Sequence, residues 1–116
     1  MGTAFDQLLV ADGRIVSISI GNGRVDIYIC TWQEYEYVIY FEDVIGIEGI
    51  DPVEEELSHC AELINDEFLN RCCTMLQENP NSYKCYAFFA AWGDLAILKV
   101  VARTYGVTKI NSRQTT

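Results

Sequence analysis

The segment from Arg14 to Ile29 admits few conformations. Val16, Ile18 and Ile20 alternate with Ser17 and Ser19. Val25, Ile27 and Ile29 then alternate with Asp26 and Tyr28, and Gly21-Asn22-Gly23-Arg24 lies between the two runs. Period-two alternation is the signature of a strand with one half-buried face. Asn-Gly favours a two-residue type I′ turn, whose central positions both need positive φ. With that turn Ile20 faces Val25, Ile18 faces Ile27 and Val16 faces Ile29, so the apolar side chains share one face. A three-residue loop would set Ile20 against Arg24 and Ile18 against Asp26 and split that face. A β-hairpin in the first register is therefore expected.

The alternation resumes from Tyr35 to Phe41, with Tyr35, Tyr37, Ile39 and Phe41 on one side. Val44 to Ile50, interrupted by Gly46 and Gly49, reads as a short strand at an edge or a bend. Asp51-Pro52-Val53-Glu54 has the composition of a helix start, with a capping Asp, Pro at the first helical position and Glu at the third. Val53, Leu57, Cys60, Ala61 and Ile64 follow at helical spacing. Asp66 to Gln77 predicts a second short helix through Phe68, Leu69, Cys72, Cys73 and Leu76, stopped by Glu78-Asn79-Pro80-Asn81. Tyr83 to Trp92 and Leu95 to Ala102 are apolar on both faces, as strands covered on both sides are, and Gly93-Asp94 between them signals a turn. From Thr108 the chain is polar, and residues 107–116 are expected to fray. The expected class is α+β: an antiparallel sheet of about six strands built from hairpins, with one or two helices between residues 52 and 77.

At 116 residues the chain fits one domain, 1–116, large enough to hold a core without metal or disulfide staples. No apolar run approaches the roughly 20 residues of a membrane helix. The N-terminus lacks the basic start and apolar stretch of a secretory signal, so a cytoplasmic location is expected. Cys30, Cys60, Cys72, Cys73 and Cys85 are odd in number and lack paired metal-ligand spacing, so they read as small hydrophobes. The adjacent Cys72-Cys73 pair has only Arg71 to lower a thiol pKa. No cofactor and no metal are expected.

Charge is the most informative functional signal. Val25 to Asn70 contains no lysine or arginine but carries thirteen acids, whereas residues 1–24 balance and residues 71–116 sum to +4. The net charge of −9 disfavours nucleic acid, whose phosphates supply most non-specific affinity. An acidic surface favours a basic protein partner through steered association. Asp51, Glu54, Glu55 and Glu56, with Trp92 and Asp94, are the candidate partner-binding residues, Trp being a frequent interface anchor. His59 is the only histidine. The alternative is a small-ligand-binding or enzymatic domain that uses His59 in an aromatic-lined pocket. A monomer or weak homodimer is expected.

Four features together carry a likeness: Phe5-Asp6 ahead of the first hairpin, Tyr40-Phe41 followed by Val44, Leu57-Ser58-His59, and Phe88 to Leu98 with Trp92 and Asp94. Over roughly Phe5 to Arg103 the chain resembles small bacterial proteins that include immunity proteins of polymorphic toxin systems. The resemblance implies a cytoplasmic, non-catalytic inhibitor that binds and occludes one cognate toxin. No binding residue carries over from it, because interface residues differ from one toxin pair to the next.

Overall fold

The computed structural model describes residues 5, 8, 10–93 and 95–110. In chain order they form β1 (Arg14–Gly21), β2 (Arg24–Cys30), β3 (Glu36–Glu42), β4 (Gly46–Gly49), β5 (Leu57–Leu63), α1 (Glu67–Leu76), β6 (Lys84–Ala90), β7 (Ala96–Ala102) and β8 (Thr104–Ile110). The strands make two antiparallel sheets, β1-β2-β3-β8 and β4-β7-β6-β5. The class is broadly α+β, with eight strands in two sheets where about six were expected in one.

The first hairpin turns at Asn22 and Gly23, both at positive φ (48° and 76°), and pairs Ile20 with Val25 and Ile18 with Ile27. The register then shifts. A bulge between Ile15 and Ser17 brings Ile15, not Val16, opposite Ile29. An extra residue re-aims every side chain beyond it, so Ile15 is buried and Val16 is exposed.

Two short connections explain the second sheet. Asp43–Ile45 joins β3 to β4, and Arg103 alone joins β7 to β8. The ladder Glu42↔Thr104 of the first sheet passes into Gly46↔Val101 of the second. Arg103 N–H donates to Glu42 O at 3.1 Å and Ile45 N–H to Val101 O at 2.9 Å, so one two-stranded ribbon folds over from sheet to sheet. Strands that switch sheets make the corners of such packings. At the opposite seam Glu54 N–H donates to Ile15 O (2.7 Å), Leu57 N–H to Gly13 O (2.8 Å) and Asp12 N–H to Leu57 O (2.9 Å). Backbone hydrogen bonding thus runs most of the way around the core.

The main core lies between the sheets: Ile15, Val25, Ile27, Ile29, Ile39 and Phe41 meet Leu57, Cys60, Tyr86, Phe88, Val100 and Ala102. Phe5 plugs it edge-on, its ring centroid 4.9 Å from Tyr86, 5.1 Å from Tyr105 and 5.6 Å from Phe88. Burying a side chain of this size contributes about 1.5–3 kcal/mol over exposure. α1 covers the other face of the second sheet, packing Leu69 and Cys73 on Tyr83, Cys85 and Val101. β6 and β7 are therefore covered on both faces, as their largely apolar sequences, interrupted by Lys84 and Lys99, required.

Two expectations fail. No helix begins at Asp51-Pro52-Val53-Glu54; the segment is a loop leading into β5. Asp51 and Glu54 sit at φ 44° and 72°, outside the right-handed helical region. A bulge between Leu57 and His59 buries Leu57 and Cys60, three residues apart, and so imitates helical spacing within a strand. Nor does the chain fray from residue 107. Val107–Ile110 pair with Glu36–Ile39 as the second half of β8, while residues 111–116 lie outside those described. The second predicted helix forms as α1, within the expected bounds Asp66 to Gln77.

Candidate functional site

Those of the expected partner-binding residues that are described, Asp51, Glu54, Glu55, Glu56 and Trp92, fall at one end of the sandwich, on the 50–56 loop and the turn between β6 and β7. The loop backbone is pinned: Ile50 N–H donates to Ile97 O (2.9 Å), Glu54 N–H to Ile15 O (2.7 Å), and Ala91 N–H to Glu56 O (2.9 Å). The last of these bonds fastens loop and turn to each other. Across that junction the Trp92 indole N–H donates to Glu55 Oε1 at 2.8 Å, with Trp92 itself 63% exposed. Glu54 Oε1 stands 3.0 Å from Arg14 Nε. Both side chains of that pair are about half exposed or more, and such surface pairs contribute little, about 0–1 kcal/mol. Asp51 and Glu56 are exposed beside them. The fold therefore brings Glu54, Glu55, Glu56 and Trp92 together, with Asp51 on the same loop. Asp94 lies outside the described residues.

Sequence reasoning missed the apolar component. Ile50, Val53 and Leu95 are exposed at the same end. Helical spacing would turn Val53 inward with Leu57 and Cys60; in the loop that forms instead it is exposed. Trp32 is exposed on the 31–35 turn, which β1–β2 pairing of Arg14 with Cys30 places at this end too.

The acidity of residues 25–70 is partly neutralised by the fold. Among the described residues, Asp26 and Glu42 pair with Arg24, Glu48 with Arg71, Glu54 with Arg14, Glu62 with Lys84, and Asp66 with Lys99. Every one of these bases comes from outside the lysine-free stretch. The most enclosed acid is Asp66, which caps α1 by accepting from Phe68 N–H (2.9 Å) and Leu69 N–H (3.2 Å). Lys99 Nζ donates to it at 2.9 Å and the Cys85 thiol at 3.5 Å. Burial pushes the Asp66 carboxyl up, but the bonds from Lys99 and Leu69 outweigh it and hold the group below its usual range. Burial lowers the Lys99 ammonium while Asp66 raises it, and the net direction is up. Asp66 is committed to the fold and offers little to a partner.

His59 is exposed on β5, its ring stacked flat on Phe89 (centroids 4.5 Å, 3° between planes). The bulge at Leu57/His59 also brings Ser58 Oγ to 3.0 Å from His59 Nδ1, a contact a regular strand would not make between neighbours. Among the described residues no carboxylate hydrogen-bonds the ring, so the third group that orients a catalytic pair is not supplied there. No disulfide joins the cysteines. Burial raises the Cys72 and Cys73 thiols and pushes Cys85 up to about 12, the opposite of what a reactive thiolate needs. Among the described residues no group of three or more His, Cys, Asp or Glu side chains could hold a metal ion. No described helix is long and apolar enough to cross a membrane.

Comparison with protein-family models, with curated proteins and with solved structures finds no match for this chain.

Proposed function

We propose that this chain is a non-catalytic binding module of the immunity type, which occludes a basic protein partner, such as a bacterial toxin, with the end of the sandwich formed by residues 50–56 and the β6–β7 turn. The observation that carries the reading is Trp92: a large aromatic ring left in solvent yet fixed by its bond to Glu55, on a loop whose backbone is tied to two neighbouring segments. Interface energy concentrates in such aromatic anchors, and an anchor already held in place loses less side-chain entropy on binding. Ile50, Val53 and Leu95 supply apolar surface beside it, and Asp51, Glu54 and Glu56 an acidic rim that would steer a cation-rich partner. A standard interface of roughly 1,600 Å² in total would take in this end and its surround.

The test is affinity capture from the source cells by the native chain, by Trp92→Ala and by a Glu54/Glu55/Glu56→Lys variant. Any protein retained would then be purified and mixed with each variant at low and physiological salt. A basic protein held one-to-one by the native chain and released by both variants is the expected result. Equal retention by all three would sink the reading. The second reading, a ligand-binding or enzymatic domain at His59, draws support from the Ser58–His59 contact. It requires His59→Ala to abolish an activity while leaving the unfolding midpoint unchanged.

A further inference from the structure

The ribbon that folds from one sheet to the other leaves a gap at its corner. β2 pairs with β3 as far as Arg24 opposite Glu42, and the hairpin then turns at Asn22-Gly23. The chain of β3 runs on into β4, which pairs with β7 on one side and with no described strand on the other. One backbone bond, Val44 N–H to Gly23 O at 2.9 Å, ties the hairpin turn to this connection. Beside it two hollows share Gly23, Val44 and Ile45. The first, about 200 Å³, is lined mainly by apolar residues, among them Ile20, Val25, Val44 and Ile47. The second, about 370 Å³, is bounded by Asp43, Tyr83 and Arg103. An apolar lining with a few convergent polar groups is the makeup of a small-molecule site.

The second hollow carries one charge of each sign, and neither is spent on the other. Arg103 is the bend residue between β7 and β8; its Nη2 donates to Tyr83 Oη at 3.5 Å, and its guanidinium lies 5.1 Å from the Tyr83 ring centroid. That contact fixes the head and leaves most of its five donors open. Among the described residues neither Arg103 nor Asp43 takes part in an ion pair, though Asp43 is near enough to raise the Arg103 pKa. Arg24, at the wall of the first hollow, is already committed to Asp26 at 2.8 Å and Glu42 at 3.5 Å.

We propose that this corner binds a free α-amino acid with an apolar side chain. The carboxylate meets Arg103, the ammonium meets Asp43, and the side chain enters the hollow between Ile20, Val25, Val44 and Ile47. Opposite charges facing one hollow suit a zwitterion better than an anion, which Asp43 would repel, or a cation, which Arg103 would repel. The site lies about 20 Å along β2 from the 31–35 turn, so it is separate from the end proposed to bind a protein partner and does not depend on that reading.

The test is a titration of the full chain with L-leucine followed by amide NMR. Saturable shifts centred on Gly23, Val44 and Ile45, with a dissociation constant of about 1 mM or below, are the expected result. Leucinamide lacks the carboxylate, isocaproate the ammonium and glycine the side chain, and each should bind at least about tenfold more weakly. Arg103→Gln should lose about tenfold against leucine and nothing against leucinamide, and Asp43→Asn about tenfold against leucine and nothing against isocaproate. Asn accepts the left-handed φ of 56° at position 43 as Asp does, so the second variant serves if the first fails to fold. Ile20→Ser, at a side chain 65% exposed, should weaken leucine binding without moving the unfolding midpoint. No saturable shift at Gly23, Val44 and Ile45, equal binding of leucine and leucinamide, equal binding of leucine and isocaproate, or unchanged leucine binding by Asp43→Asn would each overturn the proposal.

Discussion

Asp66 and Glu55 come from the same lysine-free stretch, eleven residues apart, and the fold puts them to opposite uses. Asp66 is enclosed between α1 and the second sheet, where two backbone amides, a lysine and a thiol converge on it. Glu55 sits on a loop at the end of the sandwich and holds one exposed indole. Local sequence treats both as surplus negative charge. In three dimensions the stretch is read strand by strand against bases from elsewhere, so Asp26, Glu42, Glu48, Glu62 and the α1 cap Asp66 are countered in place. Among the described residues, the acids of 51–56 are offset only by the pair between Arg14 and Glu54. The proposed binding surface is thus smaller than the charge asymmetry suggests and has an apolar centre.

That contrast can be broken by substitution. The largest effect on stability should follow Asp66→Ala, which removes the α1 cap and leaves Lys99 half-enclosed without a counter-charge. A loss of about 3 kcal/mol in urea denaturation is expected, whereas Glu55→Ala should shift stability by no more than about 0.5 kcal/mol. Equal losses would erase the distinction between the two acids. The same comparison has a pH signature. The folded-state pKa of Asp66 lies below its unfolded value, so the stability it contributes is fully present above the ordinary carboxylate pKa of about 4 and fades as pH falls through the lower folded value. Acid titration of stability should show this loss in the native chain and a shallower one in Asp66→Asn.

On the binding side the order reverses. Trp92→Ala should cost about 2 kcal/mol or more in partner affinity by calorimetry, with little change in the unfolding midpoint because the ring is already in solvent. Glu54/Glu55/Glu56→Lys should slow association about tenfold at low salt and leave unfolding within about 1 kcal/mol of the native chain. If Trp92→Ala instead destabilises the fold as Asp66→Ala does, the indole serves as a core lid and the contrast between interior and end is lost.

The hairpin, the two doubly covered strands and α1 were legible because each has a single strong periodicity and clear end signals. The misplaced burial in β1 and the mistaken helix share one cause, a backbone irregularity that alters the period. The bulge at Val16 reassigns burial to Ile15, and the bulge after Leu57 spaces Leu57 and Cys60 like a helix. β8 was underrated for another reason. It is an edge strand with few buried residues, and its Gly106 would mark a weak strand were it not covered by the ring of Tyr40, which leaves no room for a Cβ. Of the site, the acids and Trp92 could be named from sequence, but the bond between Glu55 and Trp92 spans 37 residues and no local pattern foretells it. The exposed Val53 was hidden by the mistaken helix, while Ile50 and Leu95, at the ends of apolar strand patterns, read as strand residues and not as exposed surface.

The most direct measurement is stopped-flow association of the native chain and of the Glu54/Glu55/Glu56→Lys variant with the captured basic partner, across a range of ionic strength. The expected result is a native rate that falls steeply with salt and a variant rate that is slower and nearly flat, with the two converging at high salt as screening shortens the reach of the rim charges. Identical rates and identical salt slopes would contradict the assignment of residues 50–56 to the interface.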